Sequence, residues 1–219
     1  MHGTNPIRPP VQGDGATLDV QQIFPTLQGE GPYAGWPAVF VRLGGCNLAC
    51  TFCDTEFESY RPMALPDILT TVSDLGGRTH RLVVITGGEP LRQPIGPLCA
   101  ALLEKGFRVQ IETNGTLWRA LPEGVDIICS PKNTGRGYAP LRGDVLTRAT
   151  ALKFIVSAHR EGYGDIADVG QREGTPVYVQ PMDEYDEAKN AANLKHAVEI
   201  AQRRGCRLSI QMHKIAGIA

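Results

Sequence analysis

The chain has 219 residues, 42% apolar and 21% charged, with 22 Lys and Arg against 23 Asp and Glu for a net charge of −1. That balance suits one globular domain with a sizeable core, and it excludes the basic footprint that binding to nucleic acid or an anionic membrane surface requires. No apolar run approaches the ~20 residues of a membrane-spanning helix, and residues 1–16 lack the apolar stretch of a signal peptide, so a cytoplasmic location is expected.

Residues 1–16 are rich in Gly and Pro and nearly devoid of large apolar side chains. A mobile tail is expected there, ahead of a single domain over residues 17–219. Apolar and polar side chains alternate over residues 18–24, the pattern of a strand. A loop with two glycines follows over residues 24–32, then a second strand over residues 37–43. Leu65, Ile68, Leu69 and Val72 form one helical stripe that Gly76 and Gly77 end. Residues 81–86 are a nearly continuous apolar run, the mark of a strand covered on both faces. Ile95, Leu98, Cys99, Leu102 and Leu103 make a second helical stripe, which stops at Gly106. Further strands are expected over residues 107–113, 125–129, 152–156 and 176–179. A last helix follows Asp183 as its cap, with Ala188, Ala191, Ala192, Leu194 and Val198 facing inward and Gly205 ending it. Residues 206–212 read as a closing strand. Strands alternating with helices imply an α/β fold with a mainly parallel sheet, and the six strands between residues 37 and 179 suit an incomplete β/α barrel. Ligands gather at the C-terminal ends of such strands. The polar, glycine-rich segments at 44–55, 86–90, 112–115, 130–132 and 180–183 all follow expected strands.

The densest chemistry is Cys46, Cys50 and Cys53, spaced C-x3-C-x2-C in a loop entered through Gly44 and Gly45. Three thiolates around one centre leave a metal position open, which points to a [4Fe–4S] cluster with one iron free for an outside ligand. A zinc-binding, non-catalytic module is the bland alternative, but Cys99, Cys129 and Cys206 are isolated, and the first two sit in apolar stripes as core residues.

The cysteine spacing, with Phe52 before the third cysteine and Gly87-Gly88-Glu89-Pro90 after the next strand, resembles the radical S-adenosylmethionine (SAM) superfamily. Within it, Phe24-Pro25-Thr26-Leu27-Gln28-Gly29-Glu30-Gly31, Cys53-Asp54-Thr55, Glu112-Thr113-Asn114-Gly115, Ser130-Pro131-Lys132, Gln180-Pro181-Met182 and Gln211-Met212-His213-Lys214 together resemble the 7-carboxy-7-deazaguanine synthases. That resemblance implies conversion of 6-carboxy-5,6,7,8-tetrahydropterin to 7-carboxy-7-deazaguanine with loss of ammonia, on the route to queuosine and other 7-deazapurines. It implies a partial radical-SAM barrel, a homodimer, Mg²⁺ and a flavodoxin-type electron donor. It also implies that SAM chelates the open iron, that a deoxyadenosyl radical takes hydrogen from C6 of the pterin, and that SAM is regenerated.

Carried over residue by residue, the resemblance assigns Cys46, Cys50 and Cys53 to the cluster and Thr55 to Mg²⁺. Phe52, Cys53, Asp54, Gly88, Ser130, Pro131, Lys132, Gln180, Pro181, Met182 and Asp183 fall to SAM. Leu27, Gln28, Gly29, Arg42, Thr86 and the terminal carboxylate of Ala219 fall to the pterin. Glu30, Glu89, Glu112 and His213 are second-rank candidates. A glycyl-radical-enzyme activase shares the cysteine spacing but would need neither a pterin-binding Arg42 nor a cation at Thr55.

Overall fold

The computed structural model describes residues 5–77, 79–133 and 137–218. Strand β1 (Thr17–Leu27) runs antiparallel both to β2 (Pro37–Leu43) and to β3 (Arg61–Ala64). From β2 onward every pairing is parallel, through β4 (Leu82–Gly87), β5 (Arg108–Thr113), β6 (Val125–Cys129), β7 (Ala151–Val156), β8 (Val177–Pro181) and the short β9 (Arg207–Leu208). The sheet order is β3-β1-β2-β4-β5-β6-β7-β8-β9, with β3 and β9 at its two edges, so the barrel is open as the strand count implied.

The parallel strands divide their side chains by parity. One face carries Val39, Val41 and Leu43 of β2, Val83 and Ile85 of β4, Val109 and Ile111 of β5, and Leu152 and Phe154 of β7. Helices α1 (Leu65–Gly76), α2 (Gly96–Glu104) and α3 (Gly143–Arg148) cover that face through Ile68, Val72, Leu98, Leu102 and Val145. Helix α4 (Glu187–Arg204) packs Ala197 and Ile200 on Val156 and Val179. The opposite parity holds Arg42, Thr86, Gln110, Glu112, Lys153 and Gln180. A register shift between Val20 and Gln22 in β1 changes its phase. Upstream Leu18 and Val20 join the helix-covered core, and downstream Phe24 turns to the polar side beside Phe40.

Several expectations are corrected. The residues 5–16 assigned to a mobile tail are fastened to the body. Arg8 N–H donates to Cys46 O at 2.7 Å and Val11 N–H to Arg92 O at 2.8 Å, while the Arg92 guanidinium donates to Pro9 O at 3.1 Å. Backbone hydrogen bonds supply what the apolar-poor composition does not. Asp186 rather than Asp183 caps α4, accepting from Lys189 N–H at 2.9 Å. The inward face of α4 is Asn193, Ala197 and Ile200, whereas Ala188, Ala191 and Leu194 are exposed and Ala192 and Val198 only half-buried. The reason is polar. Asn193 is fully buried because its amide donates to Met182 O and Glu184 and accepts from Ala158 N–H. The strand expected over residues 206–212 stops at Leu208, where Ser209 turns in to Gln180 and Gly31, and helix α5 (Met212–Ala216) follows. Arg61–Ala64 and Gly143–Arg148 are a strand and a helix that no periodicity signalled.

Phe154 is fully buried, with its ring edge-on to Tyr138 at 5.7 Å. Phe154→Ala is expected to cost about 3–5 kcal/mol of stability, read as a lower urea midpoint with an unchanged slope.

Candidate active site

A cavity of about 330 Å³ opens at the C-terminal ends of β2, β4, β5, β6 and β8. Its lining joins the cysteine loop on one side to the polar parity of the sheet on the other. Cys46, Cys50 and Cys53 line it together with Phe52, Asp54, Thr55, Gly88, Ser130, Lys132, Gln180, Pro181, Met182 and Asp183. So do Leu27, Gln28, Arg42, Thr86, Glu30, Glu112 and His213.

The cysteine loop is seated by backbone contacts. Gly88 N–H donates to Leu43 O at 3.1 Å and Glu89 N–H to Gly45 O at 3.0 Å. A Cβ on Gly87 would lie 2.0 Å from Leu43 O, and one on Gly88 2.0 Å from Gly45 O. The protein itself therefore needs both glycines, before any ligand approaches them. Behind the loop, Arg92 is 4% exposed and donates to Gly44 O at 3.1 Å and Asp19 at 3.2 Å, with Gln93 bonded to the same strand end. In front of it, Asn5 Nδ2 lies 3.8 Å from Cys53 Sγ and 3.1 Å from Thr55 O, and Asn114 Nδ2 lies 3.9 Å from Cys46 Sγ.

The three thiols fit a multi-iron cluster. All are unpaired. Burial pushes Cys46 up to about 12 and raises Cys50 and Cys53, with Lys132 opposing it at the latter two. Iron is what displaces such protons, and amide N–H groups aimed at sulfur stabilise the resulting charge. Among the described residues no three His, Cys, Asp or Glu side chains close on a single ion. A cluster that takes each thiolate on a separate iron spans a wider set, whereas structural zinc needs four ligands close together.

Next to the thiols, the Phe52 ring meets Tyr163 edge-on at 5.3 Å, and Lys132 Nζ lies 5.9 Å from that ring. Lys132 donates to Ser130 Oγ at 2.8 Å. Lys214 bridges Asp54 at 2.9 Å and Asp183 at 2.7 Å, tying the cysteine loop to the end of β8. Burial opposes ionisation of Asp54, but Lys214 and the Gln211 and Thr55 side chains outweigh it and hold the carboxyl at about 2. Thr55 Oγ donates to Asp54 Oδ1 at 3.2 Å, leaving its lone pairs free to accept a cation.

Deeper in the cavity, Arg42 has its guanidinium over the Phe24 ring at 5.0 Å and a buried Nε without a partner among the described residues. Burial lowers its pKa while Asp54 and Glu56 pull it back. Lys153, 5% exposed, sits between two carboxylates, donating to Glu30 Oε2 and, at 2.9 Å, to Glu112 Oε2. Gln211 donates to Glu30 Oε1 at 2.9 Å, and Gln110 to Glu112 Oε1 at 2.6 Å. Burial lowers the His213 pKa, with Glu30 opposing.

Not every expected residue reaches the cavity. Glu89 is fully buried behind it, accepting from Leu91 N–H, Thr113 Oγ and Asn114 N–H at 2.9, 2.7 and 2.7 Å, so it locks the end of β5 to the glycine turn. Gly29 is a packing position, since a Cβ there would lie 2.1 Å from His213 Nδ1. Pro131 is buried without lining the cavity. Ala219 lies outside the described residues. His213 stands on a helix rather than the expected strand. Lys153, Lys214, Gln211 and Asn114 line the cavity without having been singled out individually. The signal for Lys153 was a lysine inside an apolar strand, at the parity shared with Ile155 and, across the register, Gln180.

The Radical SAM superfamily profile matches residues 40–132. A 7-carboxy-7-deazaguanine synthase from Rickettsia prowazekii (strain Madrid E) is 51% identical, covering 100% of this chain and 96% of its own length. One from Rhodospirillum rubrum is 45% identical with 100% of both covered. A crystal structure of QueE from Escherichia coli superposes with a TM-score of 0.73 at 29% identity, covering 89% of this chain and 94% of its own.

Anaerobic reconstitution with iron and sulfide is expected to load about four irons per chain. Alanine at Cys46, Cys50 or Cys53 abolishes that loading and the visible absorbance, while Cys99→Ala and Cys129→Ala, at buried core positions, keep both.

Proposed function

The chain belongs to the 7-carboxy-7-deazaguanine synthase family of the radical SAM superfamily, and on that premise we propose that it converts 6-carboxy-5,6,7,8-tetrahydropterin to 7-carboxy-7-deazaguanine with loss of ammonia. The observation that carries the reading is one cavity lined both by three cluster thiols and by Arg42, Gln28, Glu30 and Glu112.

Bound together, the cluster and SAM supply a carbon-centred radical able to take a hydrogen atom from the substrate. The chain's own residues do the rest. Cys46, Cys50 and Cys53 would hold the cluster. Phe52, Asp54, Gly88, Ser130, Lys132 and the segment from Gln180 to Asp183 would surround SAM, with Lys214 keeping Asp54 and Asp183 ionised as hydrogen-bond acceptors. Arg42, whose Nε has no partner among the described residues, meets the substrate carboxylate, since a half-buried guanidinium needs an anion. Thr55 would hold Mg²⁺, a hard cation that keeps several waters, and the metal would act on the carboxylate as a Lewis acid. Leu27, Gln28 and Thr86 flank the pterin ring, and Glu30, Glu112 and His213 face its polar edge. The same reading makes the protein a cytoplasmic homodimer served by a flavodoxin-type donor. No helix among the described residues is long and apolar enough to cross a membrane.

Anaerobic turnover with the pterin, SAM and a low-potential reductant yields the deazaguanine product and ammonia; a reconstituted enzyme that cleaves SAM yet forms neither refutes the assignment. Arg42→Met is expected to raise the pterin KM by about 10- to 100-fold, the loss of a charge-assisted contact, with SAM binding and iron content unchanged.

A further inference from the structure

Lys153 has no part in the reading above, yet it is the most enclosed charge in the cavity. It is the third residue of β7, flanked by Leu152 and Phe154, which point to the helix-covered core. Parity alone turns its stem to the cavity side. Its ammonium joins Glu30, from the loop after β1, to Glu112, near the end of β5, so three separate elements meet at one nitrogen. Each carboxylate spends one oxygen on Lys153 and keeps a glutamine on the other. Gln211 serves Glu30, while Gln110 and, at 3.4 Å, Gln28 serve Glu112.

Resting on the assignment of the pterin as substrate, the geometry points to Lys153 as a positioning residue that holds Glu30 and Glu112 side by side as a paired, ionised acceptor for the amino-pyrimidinone edge of the pterin. That edge presents neighbouring N–H donors, and an ionised carboxylate is an acceptor only. Two carboxylates sharing a buried site repel each other, so without a cation between them one takes up a proton and becomes a donor. The donor would then face the donors of the substrate. A single ammonium against two carboxylates leaves one net negative charge for the ligand's donors to satisfy.

The charged and titratable groups facing this pair agree with that role. Lys132 approaches Glu112 from the end of β6, and His213 approaches Glu30 from α5. Burial opposes ionisation of both carboxyls. At Glu30 the contacts from Lys153 and Gln211 win and the pKa falls. At Glu112 burial and the adjacent Glu30 win and the pKa rises, despite Lys153. Glu112 is thus the member that titrates, and its acceptor role is present above its pKa and lost as pH falls through it. Removing Lys153 moves that loss to higher pH.

The test uses anaerobically reconstituted full-length protein, with the pterin Kd measured by equilibrium dialysis beside turnover. Lys153→Met is expected to weaken pterin binding and raise its KM about tenfold or more. It should also shift the acid limb of kcat/KM to higher pH, with iron content and SAM affinity as in the wild type. Lys153→Arg, which keeps the cation, recovers most of the KM. Wild-type pterin affinity and acid limb in Lys153→Met overturn the role, and so does an equal loss of SAM and pterin affinity, which marks a general structural effect. Glu112→Gln keeps the inquiry open to refutation if Lys153→Met does not fold. It imitates the protonated carboxyl, so a raised pterin KM with the acid limb abolished is expected, and a wild-type KM overturns the role. Wild-type protein that forms no product sinks the substrate assignment itself, whereas product from the wild type with unaltered variants sinks only the role of Lys153.

Discussion

Backbone meeting backbone at the ends of β2 and β4 decides where everything else in this protein can stand. Leu43 and Gly45 approach Gly87 and Gly88 so closely that neither glycine has room for a Cβ. The contact fixes the exit of the cysteine loop relative to the parallel strands, and side chains then fasten it from both sides. Arg92 and Gln93 grip Gly44 from behind, and Asn5 and Asn114 reach the sulfurs from in front. Glu89, next in sequence to the glycine pair, carries the same constraint on to β5 through Thr113 and Asn114. A buried carboxylate with three donors is a rigid joint, because losing any one of them leaves a costly unpaired group.

The second organising fact is the parity of the parallel strands. A strand in such a sheet normally reads as a continuous apolar run because both faces are covered. Here one face packs against helices and the other lines a cavity, so charge enters strands that are otherwise apolar. Arg42, Glu112 and Lys153 all occupy that inner face. In so enclosed a setting electrostatic contacts are strong and unpaired charges expensive. Lys153 and the two glutamates answer one another within the protein, whereas the buried Arg42 Nε has no partner among the described residues. The contrast separates charges satisfied within the protein from one that is not.

Much of this could be read from the sequence, because strand runs of Val, Ile and Leu bounded by glycine have few alternatives. The strands at 125–129 and 37–43, the stop at Gly76 and Gly77, and the core placement of Cys99 and Cys129 all follow from local pattern. So does the convergence of the glycine-rich segments at one end of the sheet. What escaped the pattern was polar or non-local. Asn193 took the inward face of α4, a position that apolar periodicity assigns to alanines. Ser209 drew the chain out of the sheet through bonds to Gln180 and Gly31, far away in sequence. The tail over residues 5–16 is held through hydrogen bonds that composition cannot register. Glu89 looked like a ligand-facing residue from its motif but points away from the cavity, because its three donors lie on the protein side.

The short segment from Cys53 to Thr55 has one further consequence. Asn5 reaches it from one end of the sequence, and Lys214, 160 positions beyond Asp54, reaches it from the other. Two distant stretches of chain therefore close over the same three residues. From β4 to β9 each strand lies beside its neighbour in sequence, but the mouth of the cavity needs both of these stretches in place. The floor of the cavity is thus sheet, while its mouth is closed by two stretches that are far apart in sequence and meet only at the cysteine loop.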